Sequence, residues 1–189
     1  LIVKEYPTAG AHSGHFRALL EELKLKREFK PDIIFVDYMN ICASSRIKIG
    51  ASVNTYTFVK SVAEEVRGLA VEFNVPILTA SQLNREGAVS SDPTMDNVSE
   101  SFGTAATADM MFALVTSEEL ESLGQIMVKQ LKNRYNDPTL NKRFAIGVDR
   151  SKMRLYDIDV NAQKNIADSG QEIEQPKRDS KSKFEGLKV

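Results

Sequence analysis

The chain has 189 residues, enough for one domain with a real core plus a tail. Its composition, 42% hydrophobic and 27% charged, is that of an ordinary globular protein, and no apolar run reaches membrane-spanning length or resembles a signal peptide. A single cysteine, Cys42, excludes an internal disulfide and suits the cytoplasm, and with only two histidines it speaks against a structural zinc site.

The net charge of −1 hides an asymmetry. Between Lys129 and Arg154, eight basic residues (Lys129, Lys132, Arg134, Lys142, Arg143, Arg150, Lys152, Arg154) stand against Asp137 and Asp149. Such density reads either as a phosphate-binding footprint or as the solvated face of an antiparallel ribbon.

In chain order, "LIVKEY" reads as a short strand. It starts on Leu1 rather than methionine, so the chain reads as the later part of a longer protein. "SGHFRALLEELKLKREF" places Phe16, Leu19, Leu20, Leu23 and Leu25 near helical spacing, with Ser13 as N-cap. "KPDIIFVDYMN" follows, four apolar residues from Ile33 to Val36 ending on Asp37, the pattern of a strand buried on both faces. In open α/β sheets ligands bind beyond the carboxyl ends of the strands. A carboxylate there can hold a water-coordinated Mg²⁺ beside a nucleotide phosphate, or it can simply open a turn.

After the Ser-rich "ASSRIKIGAS", the segment "NTYTFVKSVAEEVRGLAVEFN" carries Phe58, Val62, Val66, Leu69 and Phe73 along one helical face, capped near Asn54. "VPILTASQLN" is the next buried strand and ends on Ser81 and Gln82. A glutamine amide at a strand end can accept from a water and donate to a phosphate oxygen; alternatively it bonds nearby backbone. The loop "NREGAVSSDPTMDN" is long enough to be functional or disordered. "VSESFGTAATAD" is a short helix and "MMFALV" a strand. "GQIMVKQL", "RFAIGVDR" and "MRLYDI" are closing strands joined by turns. In "QLKNRYNDP", Lys132 and Arg134 alternate, so in a strand they point the same way and can clamp a phosphate. From 159 to 189 the composition is that of a disordered polar tail, leaving 1–158 as the folded part.

Two helical crossovers between apolar strands predict an α/β fold with a mostly parallel sheet and antiparallel closing strands at one edge. This resembles the RecA-like P-loop NTPase core, with the N-terminal part of that domain missing. Taken in order, "IIFVDYMNI", "VPILTASQLNREG", "SESFGTAATADMMFALV" and "KNRYNDP" resemble the C-terminal ATPase domain of the DnaB-family hexameric replicative helicases, within that family most closely those of T-even-like phages. The resemblance covers roughly residues 1–158.

The resemblance implies the following roles. Asp37 holds Mg²⁺ through water and binds ATP together with Gln82, the γ-phosphate sensor. Lys132 and Arg134 reach the ATP of a neighbouring subunit. Two loops track single-stranded DNA: one near Ala43–Asn54, with Arg46 and Lys48 as its cations, the other from Arg85, with Glu86 and Gly87, to Asn97. It further implies a homohexameric ring that translocates 5′→3′ and unwinds duplex at the replication fork, with primase and helicase loader as partners. No membrane is involved, and the location is cytoplasmic, in the host cell if phage-encoded. "SFG", Tyr135 and Asn136-Asp137 depart from the family pattern. No GxxxxGK[ST] phosphate loop occurs in these residues, and "TAGAHSGHF" does not substitute. The expectation is that this loop and the catalytic glutamate precede Leu1, so that the chain alone does not hydrolyse ATP. A RecA-fold recombinase or loader-like DNA-binding ATPase is the alternative.

Overall fold

The computed structural model describes residues 1–48, 53–84, 92–95, 102–137, 140 and 142–159. In order these form α1 (Ser13–Arg27), β1 (Ile34–Val36), a 3-10 turn (Met39–Ile41), α2 (Thr55–Phe73), β2 (Ile77–Thr79), α3 (Phe102–Thr107) and β3 (Met110–Val115). Then come α4 (Glu118–Ser122), β4 (Gln125–Asn133), β5 (Arg143–Asp149), a second 3-10 turn (Arg150–Lys152) and β6 (Arg154–Asp157).

Helix α2 organises the core. Its Asn54 cap accepts the Thr57 N–H at 2.8 Å, satisfying a donor that the helix start leaves free. Asn74, in the left-handed conformation at φ 49°, closes the other end on the Ala70 and Val71 carbonyls. Between these caps Val59, Val62, Ala63 and Val66 pack with Met39, and Cys42, Phe58 and Ile77 surround them half-buried. The core therefore clamps the segment that leaves β1, and this is what gives Asp37 a defined place.

β1 and β2 pair in parallel, Ile34 opposite Ile77, Phe35 opposite Leu78 and Val36 opposite Thr79, with α2 as the crossover. β3, β4, β5 and β6 form a second sheet, antiparallel throughout and in that order. Parallel pairing is thus a single two-stranded ladder among the described residues, not most of the sheet. Nor are β1 and β2 buried on both faces: the paired Phe35 and Leu78 are 69% and 46% exposed. On β3 the apolar residues Met110, Phe112 and Leu114 are exposed, while Ala113 and Val115 between them are buried.

Two local expectations fail for physical reasons. "LIVKEY" is not a strand, because no described strand lies beside it to receive its backbone hydrogen bonds; Leu1 and Val3 are exposed. His12, not Ser13, caps α1: its Nδ1 accepts the Gly14 N–H at 3.0 Å, and Ser13 is already helical, its hydroxyl turned inward to Glu65. Leu25 points to solvent. The short α4 was not anticipated, although Ser117 caps it and three glutamates fill its first turn. Val160 onward, the tail proper, lies outside the described residues. No described helix is long and apolar enough to cross a membrane.

Candidate functional site

Asp37 directly follows β1, and Gln82 lies three residues beyond β2. Because the two strands run parallel in register, both residues leave the same end of the ladder. Two bonds carry the pairing past the strands: the Thr79 hydroxyl donates to the Val36 carbonyl at 2.8 Å, and the Met39 N–H to the Ala80 carbonyl at 3.2 Å. The peptide joining Asp37 to Tyr38 is cis. Among the described residues the Gln82 side chain bonds no backbone group; its Nε2 donates to the Tyr38 hydroxyl at 3.4 Å, linking the two strand ends. Asp37 is exposed, and its carboxylate has no partner among the described residues. No described group of three or more His, Cys, Asp or Glu could cage a metal ion. One free carboxylate at a strand end still fits Mg²⁺, which keeps most of its waters and takes one or two carboxylates plus substrate phosphates.

Lys132 and Arg134 do point the same way, and both reach the end of α3. Lys132 Nζ donates to the Ala105 carbonyl at 2.7 Å and to that of Ala106 at 3.1 Å. Arg134 donates to the Ala106 carbonyl and, at 2.9 Å, to Asp109. Arg67 of α2 takes the other oxygen of Asp109 at 2.8 Å and also bonds the Thr107 carbonyl. Burial pushes the Asp109 carboxyl up, but Arg67 and then Arg134 outweigh it and leave it below the usual carboxylate range. Burial, followed by the charge of Arg134, pushes Lys132 below the ordinary lysine range. Two arginines therefore share one carboxylate with Lys132 beside them on the carbonyls of α3, and Arg134 keeps N–H donors of its planar fork for another anion. No described hydrogen bond or ion pair joins this cluster to Asp37 or Gln82.

The first loop leaves the core at Ala43 and Ser44, both buried. Arg46 ion-pairs with Glu64 at 3.1 Å, and Lys48 is exposed. Behind them Glu65, only 6% exposed, accepts hydrogen bonds from Ser13, Ser44, Ser45 and Ser61. Burial pushes its carboxyl up, yet the hydrogen bonds from Ser44, Ser45 and Ser13 win and hold it at about 2. Arg85, Glu86 and Gly87 lie outside the described residues, as do 49–52 of the first loop.

The basic band from Lys129 is largely engaged in structure rather than offered as a phosphate footprint. Buried Lys129 pairs with Asp92 and donates to the Pro93 carbonyl at 2.8 Å; Arg143 meets the same carboxylate. Lys152 pairs with Asp149 and Arg150 with Glu121. The hydrogen bond from Lys129, against the effect of burial, is the main cause of the lowered Asp92 carboxyl.

Residues 8–155 match the family described as "DnaB-like helicase C terminal domain". The chain belongs to that family. It is 46% identical over 159 residues to the "DnaB-like replicative helicase" of Enterobacteria phage T4, a match covering 84% of this chain and 33% of that protein. It is 30% identical over 133 residues to a "Probable plasmid replicative DNA helicase" of Chlamydia trachomatis, covering 65% of this chain and 28% of that protein. The chain thus spans about a third or less of the length of these relatives. Among solved structures, an isolated ATPase domain superposes with a TM-score of 0.66 at 17% identity, over 79% of this chain and 52% of that one. A DnaB-like replicative helicase described with its primase interactions superposes with a TM-score of 0.67 at 16% identity, over 82% of this chain and 36% of that one. The fold is accordingly the RecA-like ATPase core of the DnaB-like helicases.

Four residues escaped the sequence reading. Glu65 carried a signal, a charge on the apolar stripe of α2 between Val62 and Leu69. Asp109 stood inside the quoted "SESFGTAATADMMFALV", without a role. Arg67 and Asp92 had no local signal.

Proposed function

We propose that this chain is the C-terminal part of the motor domain of an ATP-dependent replicative DNA helicase, acting as a homohexameric ring around one DNA strand and moving 5′→3′. The observation that carries this reading is the placement of Asp37 and Gln82 at one end of a parallel ladder, in a chain of the DnaB-like family. Asp37 would hold Mg²⁺, which would supply charge neutralisation at the phosphates of ATP. Gln82, steered by Tyr38, hydrogen-bonds the γ-phosphate or the attacking water. Arg134, seated on Asp109 and the end of α3, turns its remaining donors to the ATP of the next subunit, and Lys132 adds charge behind it. Arg46, Lys48 and the segment at Arg85, Glu86 and Gly87 grip successive phosphates of single-stranded DNA. Primase and a loader are the partners, in the cytoplasm of the host cell. No observation favours the recombinase reading.

In the intact protein, Asp37→Asn should lower DNA-stimulated ATP hydrolysis by on the order of 10² or more while leaving the melting curve unchanged. Wild-type turnover in that variant would remove the site.

A further inference from the structure

Glu65 is a buried carboxylate with no cation beside it among the described residues. Both its oxygens are filled by hydroxyls and one backbone N–H: Ser13 at 2.7 Å from the start of α1, Ser44 at 2.5 Å and Ser45 at 2.7 Å from the base of the first loop, and Ser61 from its own helix at 3.3 Å. The Ser45 N–H adds a further bond at 2.9 Å. Ser44 passes the constraint on, because its Oγ accepts the N–H groups of Arg46 and Ile47, each at 3.1 Å. Burying an ion without a counter-ion is a poor route to stability, since an apolar group of similar size does as well. What the cage does supply is direction. It fixes three consecutive residues of the loop, Ser45 to Ile47, at the point where the chain leaves the core.

We propose that Glu65 is a positioning residue for single-stranded DNA, clamping Ser44 and Ser45 so that the backbone carrying Arg46 and leading to Lys48 leaves the domain in one fixed direction for binding phosphate. This rests on the assignment of the first loop to DNA made under the proposed function. Without the clamp the loop must be ordered when DNA binds, and that ordering is subtracted from affinity. The clamp acts on the grip and not on the chemistry, so it separates the DNA requirement from the maximal rate.

The test uses Glu65→Gln in the intact protein, with Ser44→Ala as a second variant that keeps the carboxylate and removes the hydroxyl between it and the loop. Amide hydrogen exchange is read at Arg46 and Ile47, and ATPase stimulation is titrated with oligodeoxythymidine. Loss of one hydrogen bond to a charged acceptor corresponds to about ten-fold. In Glu65→Gln the two loop amides should exchange about ten-fold faster while α2 stays protected. The oligonucleotide concentration for half-stimulation should rise about ten-fold, with the saturated rate within about two-fold of wild type. Ser44→Ala removes the acceptor of both amides outright, so their exchange should rise at least as much, and half-stimulation should rise in the same direction as in Glu65→Gln.

Unchanged half-stimulation in Glu65→Gln, in a protein where Arg46→Ala raises it, overturns the positioning role alone. If Arg46→Ala and Lys48→Ala both leave half-stimulation unchanged, the loop does not meet DNA and both readings fall. If Glu65→Gln does not fold, unchanged half-stimulation in Ser44→Ala overturns the proposal.

Discussion

Glu64 and Glu65 are neighbours on α2 and act on the same loop from opposite sides of the surface. Glu64 is exposed and holds Arg46 at 3.1 Å, with Lys60 at 3.9 Å. An exposed pair of this kind is worth about 0.2–1 kcal/mol and weakens with salt. Glu64→Gln frees Arg46 and removes a charge that repels phosphate, so oligonucleotide affinity should rise about two- to five-fold at low salt and converge with wild type at high salt. Anisotropy titrations at two salt concentrations check this; equal affinity at low salt would mean that Arg46 does not face DNA. Glu65 instead makes stability depend on pH. Its carboxyl is lowered from 4.5 to about 2 in the folded state, so its contribution is fully present above pH 4.5 and is lost as pH falls toward 2. That contribution is on the order of 3 kcal/mol. Urea melts between pH 6 and pH 3 should show the wild type losing more stability than Glu65→Gln; parallel losses would contradict the cage.

At the scale of elements, what could be read from the sequence was what is local. The α2 helix and its Asn54 cap lie within four residues of the groups that define them, so periodicity and cap chemistry located both. The shared end of β1 and β2 was legible because each apolar run stops on a polar side chain. "LIVKEY" was misread because a strand exists only by virtue of a neighbour. The anchors were invisible for the same reason: Arg134 meets Asp109 across 25 residues, Ser45 meets Glu65 across 20, and Lys129 meets Asp92 across 37. Nothing in a window of ten residues signals such pairs. The last of these ties Asp92 to β4 and β5, where the Lys129 side chain is only 8% exposed. Asp92→Asn leaves that ammonium without its counter-ion and should cost roughly 1–3 kcal/mol in urea unfolding. In a Lys129→Met background the cost should largely vanish; an undiminished cost would locate the role of Asp92 elsewhere.

Across the whole molecule, the groups proposed to face nucleotide divide between the two sheets. Asp37 and Gln82 end the parallel ladder, whereas Lys132 and Arg134 belong to the antiparallel sheet and sit on Asp109 and α3. In the proposed ring, one set would face a nucleotide bound by its own subunit and the other the neighbour's. A guanidinium supplied in this way is worth about 10³–10⁵ in rate. The direct measurement mixes Arg134→Ala subunits with Asp37→Asn subunits of the intact protein, each inactive alone, and assays DNA-stimulated ATP hydrolysis. A shared site predicts partial recovery, because some interfaces then pair an unmodified Asp37 with an unmodified Arg134. Mixed rings that form, as shown by subunit exchange, and recover no activity at any ratio would contradict it.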